Sequence, residues 1–267
     1  MFLKNTFIPN HDSNRMRDEG NVEKARNLFY TSKSTSNLNF LLKNRFIWMN
    51  QFIKQEDFGL EVGSGTGISK DFIISKNYFI SDFSNYNYLD FKLIDALNTG
   101  FENEKFDFVV SSNMIHHVPY PFLFFQEMNR ILKPEGKLII QEINGSFFMR
   151  GLLKLMRHEG YNYNVNVFDK EQICTNPNDL WSANCVIPNL LFDNIEKFES
   201  EFNEFKVIYR SHSEFLNFIN SGGVIAKTFH LPLPIFCLRI IKKIDDFLSK
   251  ISPNLFALQR QIVLEKI

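Results

Sequence analysis

The chain has 267 residues, 44% of them hydrophobic, which suits one large domain with a sizeable core. Its 30 basic and 30 acidic residues give zero net charge, and this argues against a general nucleic-acid binder because such proteins carry a basic excess. The three cysteines are far apart and form no CxxC pair, so the sequence predicts a reduced, cytoplasmic protein without a metal.

The N-terminal part is predicted to be a helical extension. Residues 1–36 are polar and lack the apolar run of a secretory signal. Residues 38–53 place apolar side chains at helical spacing, which predicts a helix. We therefore expect an extension over 1–57 and the main domain over 58–267. Nowhere does an apolar run approach the roughly 18 residues of a membrane-spanning helix, so no transmembrane segment is predicted.

Strands and helices alternate after the extension. In chain order the predicted elements are the strand FGLEV, the helix GISKDFIIS, the strands NYFISDF, DFKLIDA and FDFVVSSN, the helix PFLFFQEMNRIL and the strand GKLIIQEI. The continuous apolar run in FDFVVSSN is typical of a strand that is covered on both faces. The alternation predicts an α/β fold with a parallel sheet and helices on both faces.

The alternation ends after residue 145. The later predicted elements are the helix NLLFDNIEKFESEF, the strand FKVIYR, the amphipathic stretch FCLRIIKKIDDFLSKI and the strand RQIVLEKI. Residues 145–187 and 211–256 interrupt this order. Because parallel strands deliver the chain to one edge of a sheet, both segments are expected to form caps at the carboxyl edge, where open α/β sheets bind ligands.

The first predicted strand ends in LEVGSGTG, which places Glu61 before Gly63, Ser64, Gly65 and Gly67. A glycine-rich turn between a strand and a helix lets a ligand approach the backbone and the free N–H groups of the helix. The spacing differs from the GxGxxG of dinucleotide sites, and an acidic strand end would repel a pyrophosphate. An amino acid attached to a nucleoside has the right polarity. A tight turn without a ligand is the alternative.

Two aspartates follow later strands. Asp82 ends the next predicted strand, 19 residues after Gly63, where a carboxylate can accept both hydroxyls of a ribose. Asp95 is followed by the small Ala96 at the end of the strand after that, where it could accept from the amine of an adenine. Each aspartate alone would more ordinarily be a cap or turn residue. Their joint placement at strand ends favours a nucleoside site.

The set of motifs resembles the class I S-adenosylmethionine-dependent methyltransferases over about residues 58–144. The stretch from FDFVVSSNMIHHVP to LIIQE is similar to the type 11-like methyltransferase domain subgroup, which has a His-His pair after the fourth strand and an RVLKPGG-type turn. Here the turn reads RILKPEG, so Glu135 replaces one glycine. The resemblance implies a Rossmann-like seven-stranded sheet in which RQIVLEKI is an antiparallel last strand beside FKVIYR.

The resemblance also implies a cofactor, S-adenosylmethionine, with S-adenosylhomocysteine as the product. Glu61 would order the loop and the amino-acid part of the cofactor. The glycines would line the methionine part, with Asn113 beside it, whereas Asp82 would hold the ribose. Asp95 and Ala96 would border the adenine. The implied cofactor-binding residues are Glu61, Gly63, Ser64, Gly65, Gly67, Asp82, Asp95, Ala96 and Asn113.

Three histidines are candidate catalytic bases. Methyl transfer from a sulfonium needs an aligned acceptor, and an oxygen or nitrogen acceptor can also need a base. His117 and His116 follow the fourth strand, beside the expected donor methyl, and His158 stands next to Glu159 in the first insertion. The sequence ranks His117 first, then His116 and His158. The alternatives are structural roles for the pair, in helix capping or cofactor packing, and a polar loop for His158.

These features predict a cytoplasmic methyltransferase acting on a small molecule or lipid-linked glycan, with O-methylation as the leading reaction. Carbon methylation of a quinone-like lipid and a non-catalytic S-adenosylmethionine-binding protein are the alternatives. The C-terminal third resembles methyltransferases encoded with bacterial surface-polysaccharide genes, through its SGG, LP and LFALQRQIVLEK segments. The apolar stretch from Ser221 to residue 241 is open to several interpretations: a lid, an acceptor groove or a patch in peripheral contact with a membrane. Packing under the cap, without a binding role, is the leading alternative.

Overall fold

The computed structural model describes residues 6–9, 21–31, 36–157, 159–225 and 228–267. The helices are α1 (Val22–Thr31), α2 (Ser36–Ile47), α3 (Pro121–Ile131), α4 (Phe147–Met156), α5 (Ile187–Phe192), α6 (Ile195–Glu201), α7 (Leu216–Ile219) and α8 (Ile235–Ile251). The strands are β1 (Phe58–Val62), β2 (Asn77–Asp82), β3 (Phe91–Lys92), β4 (Phe106–Ser112), β5 (Leu132–Ile143), β6 (Phe205–Ser213) and β7 (Gln259–Lys266).

The strands form one seven-stranded sheet in the order β3-β2-β1-β4-β5-β7-β6. The first five strands of this order run parallel, whereas β7 is antiparallel to both β5 and β6. In the central strand β4, Phe108, Val109 and Val110 are all completely buried, as expected for a strand covered on both faces. The predicted Rossmann-like sheet with an antiparallel last strand is confirmed.

Two predicted elements are much shorter than the sequence indicates. The predicted helix after the glycine loop is only a 3₁₀ turn, Ile68–Asp71. The side chain of Asn50 bonds the carbonyl of Phe72 at 2.8 Å and the N–H of Ile74 at 3.1 Å, and these bonds replace the next helical hydrogen bonds. The loop is therefore not followed by the α-helix N-terminus that the sequence predicts. Strand β3 has only two residues, since Leu93 takes the left-handed conformation with φ of 56°.

The helix predicted from Asn189 onward is divided into α5 and α6. The division falls at Asp193, whose carboxylate lies 2.7 Å from the guanidinium of the buried Arg260 in β7. Asn194 then begins α6, and its side chain accepts a hydrogen bond of 2.9 Å from the backbone N–H of Lys197. An Asn N-cap stabilises a new helix start, so the ion pair and the cap together explain the break.

The extension and the second predicted cap are tied together by a buried ion pair. Arg45 of α2 donates to both carboxylate oxygens of Glu214, at 3.0 and 2.6 Å. The predicted helix at 38–53 corresponds to α2 and the following 3₁₀ turn Trp48–Gln51. The boundaries of the extension and of the two caps stay predictions. Among the helices that the structure describes, none is long and apolar enough to cross a bilayer.

Candidate active site

The predicted cofactor residues lie along one edge of the sheet. The glycine loop follows β1, Asp82 ends β2, Asn113 follows β4 and Glu142 is the penultimate residue of β5. These four strands are neighbours in the order β2-β1-β4-β5, so their carboxyl ends are side by side. The sheet therefore gathers polar groups from four strands where open α/β sheets bind ligands.

The three glycines of the loop all have positive φ, but a side chain would meet different surroundings at each of them. A Cβ atom on Gly63 would lie 2.3 Å from Cγ of Met114, and one on Gly67 would lie 2.6 Å from Cδ1 of Ile80. A Cβ atom on Gly65 would meet nothing within 4 Å. Packing against protein thus accounts for the absence of side chains at Gly63 and Gly67. Gly65 alone leaves open space that a ligand can approach.

Glu61 is a buried acid beneath this loop. Its Oε2 accepts a hydrogen bond from Oγ of Ser69, which in turn accepts one from the hydroxyl of Tyr78 at 3.3 Å. Burial raises the pKa of Glu61 to about 7, although the hydrogen bonds from neighbouring hydroxyls oppose that rise. Glu61 is therefore only partly ionised near neutral pH, and a nearby ligand ammonium would favour its charged form.

Asp82 connects the end of β2 to the glycine loop. Its Oδ2 accepts from the N–H of Gly65 and its Oδ1 from the N–H of Ser84, both at 2.9 Å. Each carboxylate oxygen has a second lone pair, so Asp82 can still accept from ligand hydroxyls. The loop is also fixed by Ser64, whose N–H donates to the carbonyl of Ser81 at 2.9 Å. Asp82 thus fits the predicted ribose contact.

The other predicted cofactor residues have clear local roles. Oδ1 of Asp95 accepts from the N–H of Leu97 at 2.9 Å, beyond the end of the short β3. Ala96 is partly buried against the core. Asn113 has a φ of 52°, and its N–H donates to the carbonyl of Gln141 at 2.7 Å. Their contacts with a cofactor stay predictions.

Helix α1 reaches the glycine loop from the N-terminal side. Nη1 of Arg26 donates to the carbonyl of Thr66 at 2.6 Å, and its guanidinium carbon lies 4.2 Å from the ring centroid of Tyr88. The hydroxyl of Tyr88 donates to the carbonyl of Gly65 at 2.7 Å. Two consecutive loop carbonyls are therefore held by side chains from distant parts of the chain.

Replacement of Asp82 should weaken cofactor binding selectively. Hydrogen bonds to a charged group contribute roughly 1.5–3 kcal/mol, so we expect Asp82→Ala to reduce the affinity for S-adenosylhomocysteine by about 10- to 150-fold. Asp82→Asn keeps one acceptor oxygen and serves as the matched control, with a smaller loss. Calorimetric titration measures both affinities. Equal affinity in wild type and Asp82→Ala would refute the ribose assignment.

The His-His pair lies in a 3₁₀ turn, Ile115–His117, directly after β4. Nδ1 of the buried His116 is 2.6 Å from Oε2 of Glu142. The carboxylate of Glu142 also accepts from the N–H groups of Ile115 at 2.5 Å and Ile143 at 2.9 Å. Because Nδ1 of His116 faces a carboxylate, it carries the proton, and Nε2 of the neutral ring is left as the basic atom.

The two histidines differ in basicity. Burial alone would lower the pKa of His116, but the carboxylates of Glu142 and Glu159 outweigh it and the net shift is upward. Burial, together with His116, lowers the pKa of His117 to about 4. Nδ1 of His117 donates to the carbonyl of Ser182 at 3.1 Å. The pKa directions therefore make His116 the more basic of the two rings, although the sequence ranks His117 first as a base.

Glu159 faces both imidazole rings. Its carboxylate oxygens lie 4.0 Å from Nε2 of His116 and 3.9 Å from Nε2 of His117. The three donor atoms lie within 4.8 Å of one another and could hold a metal ion, while the expected absence of a metal stays a prediction. The third candidate base, His158, lies outside the described residues.

A pocket of about 400 Å³ lies beside Glu159 and Ser182, and neither imidazole ring is among its lining residues. Its lining comes from Ile8 and Pro9 and from the span 159–184. Two lining residues, Glu159 and Ser182, contact the histidines directly. The first insertion thus supplies most of the wall of a cavity that is connected to the His-His pair through Glu159 and Ser182.

Glu142 was missed in the sequence interpretation. The sequence did contain a signal, because a carboxylate follows Gln141 in the mainly apolar run LIIQEI of β5. A fully buried acid is unfavourable unless it is paired, so a partner had to be near. The partner could not be identified from one sequence, since His116 is in another strand's loop, 26 residues earlier.

The sheet order, with its antiparallel last strand, is that of a Rossmann-like methyltransferase fold. The structure aligns with a SAM-dependent methyltransferase from Archaeoglobus fulgidus at a TM-score of 0.51 and 17% identity, covering 85% of this chain and 93% of the other. Residues 60–140 match the model of the family Methyltransf_11, described as a methyltransferase domain. The predicted resemblance is confirmed, and the cofactor of this domain is S-adenosylmethionine. The His-His subgroup stays a prediction.

Two curated proteins share sequence similarity with the chain. They are the highly reducing polyketide synthase ALT1 from Alternaria alternata, 25% identical over 122 residues, and FUM1 from Gibberella moniliformis, 29% identical over 120 residues. Each match covers 35% of this chain but only 5% of the polyketide synthase. These comparisons do not support the predicted polysaccharide context.

Proposed function

We propose that the protein transfers a methyl group from S-adenosylmethionine to a small-molecule acceptor. One observation carries the proposal: the buried His116–Glu142 pair lies at the same sheet edge as the glycine loop. Met114, two residues before His116, packs against Gly63 of that loop. A polarised imidazole is thereby positioned close to where the cofactor would bind.

Different residues of this chain would bind the cofactor and move the proton. Gly65 would leave room for the cofactor, Asp82 would accept from its ribose, and ionised Glu61 would favour its ammonium group. The cofactor supplies an electrophilic methyl group on a sulfonium. Nε2 of His116 would take the proton of the acceptor, and Glu142 would stabilise the resulting imidazolium through Nδ1. General-base assistance of this kind typically contributes 10²–10⁴-fold in rate.

We assign the acceptor to the 400 Å³ pocket beside the histidines. Its lining includes apolar side chains such as Ile173 and Trp181, together with polar ones such as Asn162 and Asn176. Such a mixed wall suits a small organic molecule that carries hydroxyl groups. O-methylation of a small molecule or a lipid-linked glycan is therefore the leading reaction, and residues 145–187 would act as the acceptor cap.

Carbon methylation is the second candidate. It is favoured by the similarity to two proteins named as polyketide synthases. A carbon acceptor next to a carbonyl also needs a base to remove its proton, and His116 could serve in the same position. A quinone-like lipid is one acceptor of this chemical class. The two reactions share the donor site and differ in the acceptor atom.

The test is transfer of a labelled methyl group from S-adenosylmethionine to a panel of hydroxylated and β-dicarbonyl small molecules. We expect label in at least one acceptor, and mass spectrometry of the product identifies the methylated atom. Asp82→Ala, with its weaker cofactor binding, should lose transfer at low cofactor concentration. Tight binding of S-adenosylhomocysteine without transfer to any panel member would instead favour the non-catalytic binding protein.

A further inference from the structure

Helix α8 exposes a row of large apolar side chains. These side chains recur at helical spacing and have exposed fractions of 43–65%: Phe236, Ile240, Ile244, Phe247 and Ile251. At about 100° per residue, they occupy an arc of about 80° on the helix. Single exposed apolar residues are ordinary, but a continuous outward row marks an interaction surface. We call these five residues the apolar row.

The apolar row does not attach the helix to the domain. The opposite face does so, with Leu238, Asp245 and Ser249 buried. Both carboxylate oxygens of Asp245 accept backbone N–H groups at the start of α7, from Leu216 at 2.9 Å and Asn217 at 3.0 Å. The helix is therefore fixed by its inner face, and the apolar row is presented outward.

A row of cations borders the apolar row. Arg239, Lys243 and Lys250 are exposed and fall on one margin of it in helical projection. Within the part of the chain that the structure describes, none of the three has a carboxylate partner in a salt bridge. The exposed acid of the helix, Asp246, is paired with Lys242 at 2.7 Å. An amphipathic helix with apolar residues beside unpaired cations is typical of binding to anionic membranes.

We propose that α8 docks the protein onto an anionic lipid surface, with the apolar row in the acyl boundary and the cations among the headgroups. A second copy of the chain fits less well, because a partner should supply carboxylates for three cations. The same helix offers one exposed acid, and that acid is already paired.

The position of α8 links this surface to the active-site edge. Its C-terminal end is followed by Pro253, whose carbonyl accepts from Nδ2 of Asn144 at 3.1 Å, just beyond the end of β5. The exposed Phe147 lies close to this end of the helix, since its N–H donates to the carbonyl of Asn254 at 2.8 Å. Docking would therefore bring the carboxyl edge of the sheet close to the bilayer.

Vesicle flotation tests the proposal on the full chain. We expect wild type to float with phosphatidylcholine vesicles that contain phosphatidylglycerol, and to bind at least tenfold less to phosphatidylcholine alone. Phe236→Ser/Phe247→Ser should reduce the partition coefficient at least tenfold. The control Leu93→Ser/Ile267→Ser removes two similarly exposed side chains elsewhere and should bind as wild type does. Circular dichroism and melting temperature establish that both variants are folded.

The cations are tested separately. Arg239→Gln/Lys243→Gln/Lys250→Gln should lose binding to anionic vesicles, whereas Lys24→Gln/Lys54→Gln/Lys170→Gln, with the same change in net charge, should retain it. Failure of wild type to float, or equal binding by the phenylalanine variant, would overturn the proposal. Analytical ultracentrifugation gives the other contrary result: a dimer that the phenylalanine variant dissociates, without vesicle binding, would assign the surface to a second copy.

Discussion

The affinity for S-adenosylmethionine should rise about 100-fold between pH 5 and pH 8, and this rise should be absent in Glu61→Gln. Burial raises the pKa of Glu61 to about 7 in the unliganded protein. If the ligand ammonium needs the ionised carboxylate, each pH unit below that pKa costs about tenfold in affinity. Above pH 7 the profile should become flat. Isothermal titration at several pH values measures it, and proton release on binding should accompany it.

The unliganded protein provides an independent control for Glu61. Its folded-state pKa, about 7, lies above the ordinary value of 4.5, so its stabilising effect is complete below pH 4.5 and is lost as pH rises through 7. The loss relative to Glu61→Gln should reach about 3 kcal/mol by pH 8, since one pKa unit corresponds to about 1.4 kcal/mol. Urea unfolding of both proteins at pH 5 and 8 tests this. Parallel changes in both would show that Glu61 does not titrate abnormally.

Replacement of His116 by Ala should reduce the rate of methyl transfer by about 10²–10⁴-fold, the usual effect of a general base, with little change in cofactor affinity. Glu142→Gln should also slow the reaction strongly, because it removes the charge that stabilises the imidazolium. His117→Ala is the matched control and should cost less, since the low pKa of His117, about 4, makes it a weak base. Single-turnover rates at saturating cofactor separate chemistry from binding.

Two outcomes would contradict the assignment to His116. If His116→Ala reduces the rate of methyl transfer by less than tenfold, His116 only positions the acceptor. A chelator-sensitive rate that a divalent cation restores would instead assign His116, His117 and Glu159 to a metal, because their donor atoms lie within 4.8 Å. Unchanged activity after chelation, combined with the expected loss in His116→Ala, supports the base.

The sheet was predictable because each central strand is a short apolar run between polar turns. The run FDFVVSSN predicts β4 almost residue by residue, and RQIVLEKI predicts β7. The helix predicted after the glycine loop was wrong because its signal is local, whereas the side chain of Asn50, from another part of the chain, bonds the backbone of Phe72 and Ile74. Tertiary contacts overrode a weak helical pattern there.

The candidate site was predictable at single positions but not as a set of contacts. The GxGxG spacing and Asp82 point to a ligand without any structure. The choice between His116 and His117 depends on which ring faces Glu142, and sequence spacing carries no information about ring orientation. The same holds for the glycines, because only the fold shows that Met114 and Ile80 occupy the space beside Gly63 and Gly67.

The contact of α1 with the glycine loop affects the entropy of ligand binding. Arg26 and Tyr88 hold the carbonyls of Thr66 and Gly65 before any ligand arrives. The conformational freedom of the loop is thus lost when the protein folds, and binding need not restrict it again. Part of the cofactor affinity would then depend on α1, whose Arg26 is 40 residues away from Thr66 in the sequence.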